Sequence, residues 1–336
     1  MSTNIIQDIQ EFLKKYPDGI VILRWATATG KSAMSVEIAR TLPCEIISSD
    51  SRQFFRWMDI WTDKVSQTIR DEIPHHQIDM IDPDQFYTAW QWKQDVIKLI
   101  PQIQSRWKTP LIVGGTWLYV DTLYKNYSVP EVGADFDLRA KWDMMEIQEP
   151  WILRKKLFAI DPIEAKKHHP NSTRYIIRAL EIFEKTGLTK TDAAKEQPVQ
   201  RPILLIWLRR EREDSNVRIA KRVGEMLQSW LIEEVKGLLA KWYTADLQAM
   251  HGIGYKEVVT YLESLSSRAK WNEDERSQEK GLGTRDQGWM TLEKLQELIT
   301  IHTQQYAKRQ RTWFKRYIAD AENNPKENVV YKVYYL

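Results

Sequence analysis

Short, continuous apolar runs alternate along the chain with longer stretches in which apolar positions recur every three or four residues. Gly19-Ile20-Val21-Ile22-Leu23, Cys44 to Asp50, Thr109-Pro110-Leu111-Ile112-Val113 and Ile203 to Leu208 have strand length. They lack in-out alternation, so they predict strands buried on both faces of a parallel sheet. Helical spacing is found over 33–42, in a segment burying Val96, Ile97, Ile100 and Ile103, over Phe136 to Glu149, Ile152 to Ile160, Arg174 to Lys185 with Gly187 as its cap, and Arg218 to Leu239. Met1 to Asp18, with Ile5, Ile6, Ile9 and Phe12, predicts an amphipathic surface helix and not a signal peptide. The strand-helix alternation makes the chain α/β and lapses between 129 and 200, which reads as a helical insertion. The chain then divides into 1–128, the insertion 129–200, and 201–336, where the sheet resumes before a helical C-terminal region. Ser266 to Gly288 is polar, charged and aperiodic, the pattern of a mobile surface loop.

Charge and composition narrow the classes. With 49 Lys+Arg against 46 Asp+Glu the chain is nearly neutral, so any nucleic-acid footprint is local. A single cysteine, Cys44, permits no intramolecular disulfide and no cysteine metal site, which suits a cytoplasmic protein. No apolar run reaches the roughly 18 residues of a membrane span, and nothing in the pattern demands more than a monomer. One imbalance stands out: 15 Trp against 13 Gly.

The candidate chemistry begins after the first strand, at Ala28-Thr29-Gly30-Lys31-Ser32. A strand, a tight turn ending in G-K-[ST] and a helix form the phosphate-cradling P-loop context. Lys31 would reach phosphate oxygens, and the Ser32 hydroxyl would join the shell of a Mg²⁺ ion. The full motif wants a glycine at position 25, where this chain has Trp25; a chance G-K-S after an apolar run is the competing reading. The second strand delivers Asp50 to its carboxyl end, followed by Ser51, Arg52 and Gln53, either an ordinary polar loop or a site facing the same crevice. The apolar run from Thr109 ends in Gly114-Gly115-Thr116, where glycines let backbone approach a ligand and Thr116 presents a hydroxyl. His75 and His76 would point to opposite sides of a strand, which fits no standard metal site. Arg174 and Arg178, four apart, share a helix face, as do Arg218 and Arg222; each pair reads as phosphate contacts or as a solvated face. Tyr306 to Arg316 carries five basic residues with interleaved aromatics, suited to an RNA backbone and unstacked bases, or to a basic surface helix with Trp313 and Phe314 turned inward.

Taken in order, these motifs resemble the tRNA dimethylallyltransferase (isopentenyltransferase) family. Its G-P-T-A-[ST]-G-K-[ST] falls on Trp25 to Ser32, its D-S-R-Q on Asp50 to Gln53, its P-H-H-x-I-D-x-x-D-P on Pro74 to Pro83, and its G-G-T-G-L-Y on Gly114 to Tyr119. Its H-P-N with I-R-A-L-E follows at His169 to Asn171 and Ile177 to Glu181, its G-Y-K-E at Gly254 to Glu257, and its K-R-Q-x-T-W-F at Lys308 to Phe314. The resemblance implies a P-loop NTPase-like core and transfer of a dimethylallyl group from its diphosphate to N6 of the adenosine just 3′ of a tRNA anticodon. It implies a diphosphate cradle at Trp25, Ala26, Thr27, Ala28, Thr29, Gly30, Lys31 and Ser32 with Mg²⁺ at Ser32, and catalysis by Asp50 as general base with Thr116 beside the amine. Arg218, or else Arg222, would lie on the diphosphate. The tRNA anticodon stem-loop would be held by Asp50, Ser51, Arg52, Gln53, Arg139, Arg174 and Arg178, by Gly254, Tyr255 and Lys256, and by Lys308, Arg309, Gln310, Arg311 and Trp313. Two other classes share parts of the pattern. A free-nucleotide isopentenyltransferase or small-molecule kinase would have no use for the insertion and the basic helix. A catalytically dead RNA-binding relative would tolerate Trp25.

Against the family pattern, Trp25, Trp57, Trp61, Trp107, Trp117, Trp207, Trp230 and Trp242 all stand where glycine is usual, whereas Trp313 stands on a usual tryptophan. Glycine at those eight would bring its share close to the usual figure of about 7%. The expectation is a source that reads UGA as glycine, translated with a table that reads it as tryptophan. Trp90, Trp92, Trp142, Trp151, Trp271 and Trp289 are not assigned this way. Protein made literally from this sequence should bind dimethylallyl diphosphate poorly, with Trp25→Gly and Trp117→Gly together restoring most.

Overall fold

The protein is described from a computed structural model over residues 2–24, 30–127, 131–197, 201–277 and 290–335. In chain order its elements are α1 (Ser2–Lys15), β1 (Ile20–Arg24), α2 (Lys31–Thr41), β2 (Cys44–Ser48), α3 (Gln67–Glu72), β3 (His75–His76), α4 (Ala89–Ser105), β4 (Thr109–Gly114) and α5 (Trp117–Tyr124). There follow α6 (Phe136–Gln148), α7 (Ile152–Ile160), α8 (Pro162–Lys167), α9 (Thr173–Thr186), α10 (Lys190–Ala193), β5 (Ile203–Arg209), α11 (Arg212–Gln228), α12 (Leu231–Ala240), α13 (Tyr255–Ser277), α14 (Leu292–Asn323) and β6 (Val329–Tyr335). The strands form one parallel sheet in the order β3-β2-β4-β1-β5-β6. Continuous apolar runs suit such a sheet because helices cover both of its faces.

The described residues fall into two units. The first, residues 1–86, 100–116 and 201–336, contains the sheet. Val21, Leu23, Leu111, Val113, Leu204 and Ile206 pack there with Val36 and Ile38 of α2 and with Ile5, Ile9 and Phe12 of α1. Ile5 and Ile9 are wholly buried, so α1 is the amphipathic helix expected from the sequence, its apolar face set on the core. Cys44, on β2, belongs to this core, and burial pushes its thiol up to about 12. A second core gathers Met58, Ile219, Val223, Leu231, Val258 and Ile299.

The other unit, residues 87–99 and 117–200, is wider than the 129–200 segment read from periodicity. Its core holds Trp142, Leu153, Leu157, Ile176 and Leu180. Asp135 caps α6 by accepting from the Leu138 N–H at 3.0 Å, and Asp161 caps α8 by accepting from the Glu164 N–H at 3.0 Å, each satisfying a donor that the helix itself leaves unpaired.

Three sequence expectations need correction. The segment 218–239 is two helices, because Trp230 takes a left-handed conformation (φ 72°, ψ 22°) between α11 and α12. Residues 266–277, expected in a mobile loop, continue α13, where Arg, Ala, Lys and Glu are good helix formers; 278–288 lie outside the described residues. The C-terminal region is not helical throughout: β6 pairs with β5 from Val329↔Ile203 to Tyr335↔Arg209.

Candidate active site

β1, β4 and β2 are neighbours in parallel register and end together at Arg24, Gly114 and Ser48, so the segments leaving them share one edge. That carboxyl edge is where ligands bind in open α/β sheets. Gly30 has φ 90°, a left-handed value that glycine adopts without cost, and the eleven-residue α2 starts immediately after it. The 31–41 helix thus presents its N-terminus beside β1. Trp25, Ala26, Thr27, Ala28 and Thr29 lie outside the described residues, as does the Lys31 side chain.

The Asp50-Ser51-Arg52-Gln53 turn is held at every residue. Ser48 Oγ accepts from the Asp50 N–H at 3.2 Å, and Asp50 Oδ1 accepts from the Arg52 N–H at 3.0 Å, which fixes the carboxylate. Thr116 Oγ1 accepts from the Ser51 N–H at 3.0 Å and lies 3.3 Å from Ser51 Oγ, so the hydroxyl expected beside the reacting amine is also what ties the Gly114-Gly115-Thr116 turn to the Asp50 turn. Gln53 accepts from Ser48 Oγ at 2.7 Å and donates to the Thr62 carbonyl at 3.1 Å. The Arg52 guanidinium donates to the Gln248 carbonyl at 2.9 Å and so anchors the segment before α13. Gly114 is required sterically: a Cβ there would sit 2.3 Å from Ser49 Oγ. Ser32, Ser48, Asp50, Gln53 and Gly114 line one cavity.

Two residues of α14 reach this edge. Gln310, expected on the RNA-facing surface, is 4% exposed and donates to the Gly115 carbonyl at 3.2 Å. Tyr306, which sequence reasoning passed over as one more aromatic of a basic helix, has its phenol pushed up to about 12, first by burial and then by the Asp50 carboxylate. The signal for both was the spacing of Thr303, Ala307, Gln310, Tyr317 and Ala321, a buried stripe along α14. Tyr255 is corrected in the same way: it is wholly buried, and its hydroxyl donates to Glu234 at 2.7 Å, so it cannot touch RNA. Gly254 before it needs its φ of 87°, and its N–H donates to Glu257 at 2.6 Å.

The remaining cations divide by partner. Lys256, Lys308 and Arg309 are exposed; Arg311 is partly buried, with Nη1 lacking an acceptor among the described residues. Arg316 lies 5.5 Å over the Trp313 ring. Arg218 pairs with Asp214 at 3.2 Å and Arg222 with Asp63 at 3.6 Å. In the second unit Arg174 is exposed, but Arg139 and Arg178 both turn to Glu181, whose side chain is wholly buried. Arg139 makes two parallel bonds of 2.9 and 2.8 Å, and the Asp135 N–H adds a third at 2.8 Å. His75 and His76 are spent on the Ile73 carbonyl and on Glu45. No helix among the described residues is long and apolar enough to cross a membrane.

The family model described as IPP transferase matches residues 53–317. The chain is 39% identical over 298 residues to the tRNA dimethylallyltransferase of Thermotoga neapolitana, covering 89% of this chain and 90% of that protein. It is 37% identical over 306 residues to the tRNA dimethylallyltransferase of Pelotomaculum thermopropionicum, covering 90% and 89%. The crystal structure of the tRNA isopentenylpyrophosphate transferase of Bacillus halodurans superposes with a TM-score of 0.60 at 32% identity, over 95% of this chain and 90% of that one. A eukaryotic dimethylallyltransferase captured acting on tRNA gives a TM-score of 0.68 at 26% identity, over 94% and 73%.

Proposed function

The chain belongs to the IPP transferase family and transfers a dimethylallyl group to tRNA, and we propose that the acceptor is N6 of the adenosine 3′ of the anticodon, with Asp50 as the base. The observation that carries this reading is the fastening of the Asp50 carboxylate and the Thr116 hydroxyl, through Ser51, at the sheet edge where α2 begins. The exocyclic amine attacks C1 of dimethylallyl diphosphate and the carbon–oxygen bond breaks. The diphosphate leaves with the electron pair, and the amine proton passes to Asp50. Thr116, neutral and fixed, orients the amine, and once the base has left the loop's stack it is read by the second lone pair of Gln53 Oε1, since the Gln53 amide nitrogen is held by the Thr62 and Asp63 carbonyls. The P-loop with Lys31, together with Arg218 or Arg222, would receive the charge that builds on the leaving group.

The Ser32 hydroxyl lines the same cavity and offers the kind of hard oxygen donor that Mg²⁺ takes. Bound at Ser32, the ion would supply further neutralisation of the diphosphate. The protein acts on this reading as a cytoplasmic monomer. The test is diphosphate release from dimethylallyl diphosphate mixed with protein and unmodified tRNA. Release that requires tRNA, with prenylated adenosine in the nuclease digest, is expected; release with free adenine nucleotides alone would assign a different acceptor.

Lys308 and Arg309 on α14, with exposed Lys256 and Arg174, supply cations for the RNA backbone. Replacing Lys308 and Arg309 by glutamine should weaken tRNA binding and lower the slope of log affinity against log salt by about 1.4–1.8, since every phosphate that a side chain neutralises frees roughly 0.7–0.9 of a counterion. A filter-binding titration across salt concentrations reads the slope, and an unchanged one removes this face from the RNA interface.

A further inference from the structure

Among the described residues nine that are not glycine have positive φ, and five of those are tryptophan: Trp57 (62°), Trp107 (59°), Trp151 (71°), Trp230 (72°) and Trp242 (69°). The other four are Asp63, Gln77, Asp79 and Asn126. Asn and Asp are enriched in the left-handed region, but a bulky residue there is an outlier, and only a few per cent of non-glycine residues adopt it at all. With 15 tryptophans in the chain, chance would put about one or none there.

The local geometry names the residue that belongs. Trp107 closes α4: its N–H donates to the Gln104 carbonyl at 2.9 Å and the Lys108 N–H donates to the Ile103 carbonyl at 3.3 Å. Trp242 closes α12 identically, through Trp242 N–H to Leu239 at 3.1 Å and Tyr243 N–H to Leu238 at 3.2 Å. This pair of bonds is the Schellman termination, whose left-handed residue is usually glycine. Trp230 and Trp151 turn the chain into α12 and α7 with ψ of 22° and 8°. Gly187, ending α9, has φ 70° and ψ −1°, the same conformation occupied by glycine.

Three of these indoles stand largely in solvent, Trp107 at 91% exposed, Trp242 at 90% and Trp230 at 70%; Trp151 is 57% exposed and donates its indole N–H to Asn171 at 3.3 Å, and Trp57 lies at the surface stacked on Tyr243 with Lys241 over its ring. Trp92, by contrast, is wholly buried and edge-on to Tyr119 at 5.5 Å, and Trp142 is 7% exposed in the core of its unit; neither has positive φ.

We infer that residues 57, 107, 151, 230 and 242 are glycine in the protein made by its own cells, encoded by UGA codons read there as glycine, while Trp92 and Trp142 are true tryptophans. UGA differs by one base from the tryptophan codon UGG and by one from the glycine codon GGA, so one reassignment accounts for all five. The geometry adds position 151 to the four of these that the family pattern singles out, and it does so from backbone conformation alone.

Peptide mass spectrometry of the protein purified from the cells that encode it reads these positions directly. Glycine at all five, with tryptophan at 92 and 142, is the expected result; tryptophan at any of the five overturns the inference. A second measurement compares recombinant protein of the sequence as written with a variant carrying glycine at the five positions. Relief of the left-handed strain should raise the thermal midpoint by about 1–2 °C per position, while Trp92→Gly should lower it. An unchanged or lower midpoint in the five-fold variant counts against the inference.

Discussion

Asp50→Ala is expected to lower the single-turnover rate of dimethylallyl transfer about 10²–10⁴-fold, the usual contribution of a positioned base, while the affinities for tRNA and dimethylallyl diphosphate stay within a few fold. The turn does not depend on the carboxylate for its shape, because Ser51 remains tied to Thr116 and Gln53 to Ser48 and Thr62. The acceptor for the Arg52 N–H is lost with it. Asp50→Asn separates the two roles: its amide oxygen can still accept from Arg52 but cannot take up a proton at neutral pH. Both variants should therefore be slow. A fast asparagine variant would make Asp50 a positioning residue, and a fast alanine variant would remove it from the chemistry altogether.

Glu181→Ala should cost the helical unit about 3 kcal/mol, the low end for stripping one partner from a buried ion cluster. The wholly buried carboxylate accepts from Arg139 twice, from Arg178 and from the Asp135 N–H, and it holds α9 to the start of α6. Both guanidinium groups are about one-third exposed, so they regain some water when the acid is removed, which places the cost at the lower end. Burial pushes the Glu181 carboxyl up, but the hydrogen bonds from Arg139, Asp135 and Arg178 outweigh it and leave it below its ordinary value. A depressed carboxyl contributes stability that is present above its unfolded value near 4.5 and is lost as pH falls through the lower folded one. Urea titrations at neutral pH check the cost, and a midpoint equal to that of the parent protein would show the cluster to be idle. The same clamp bears on RNA binding: Arg139 and Arg178 are oriented by an acid on their own unit, so any phosphate they meet must share them with Glu181.

The sheet was readable because its strands are continuous apolar runs, and so was the order of the motifs at its carboxyl edge. β6 escaped notice although Val329, Val330, Tyr331 and Val333 are strand-forming types, since nothing local says that they return to β5 after a 32-residue helix. The break between α11 and α12 was hidden for a different reason: its signal is a glycine, and position 230 carries the letter for tryptophan. Gln310 and Tyr255 were placed at the tRNA by the family resemblance, and Tyr306 stood only as one aromatic of a basic segment, whereas helix geometry turns every third or fourth residue of such a segment inward. The pairing of Arg139 with Glu181 spans 42 residues and two helices, and no local pattern encodes it.

The buried thiol of β2 turns the central sheet into something that can be timed. Cys44 is the chain's single cysteine, 4% exposed, and its elevated pKa keeps it protonated and inert at neutral pH. An alkylating reagent can therefore reach it only during moments when β2 and its covering helices part. The rate at which label accumulates counts those openings, one site per molecule, with no background from other sulfhydryls. Comparing that rate with and without dimethylallyl diphosphate would report how far a ligand held at the carboxyl edge damps breathing of the strands beneath it.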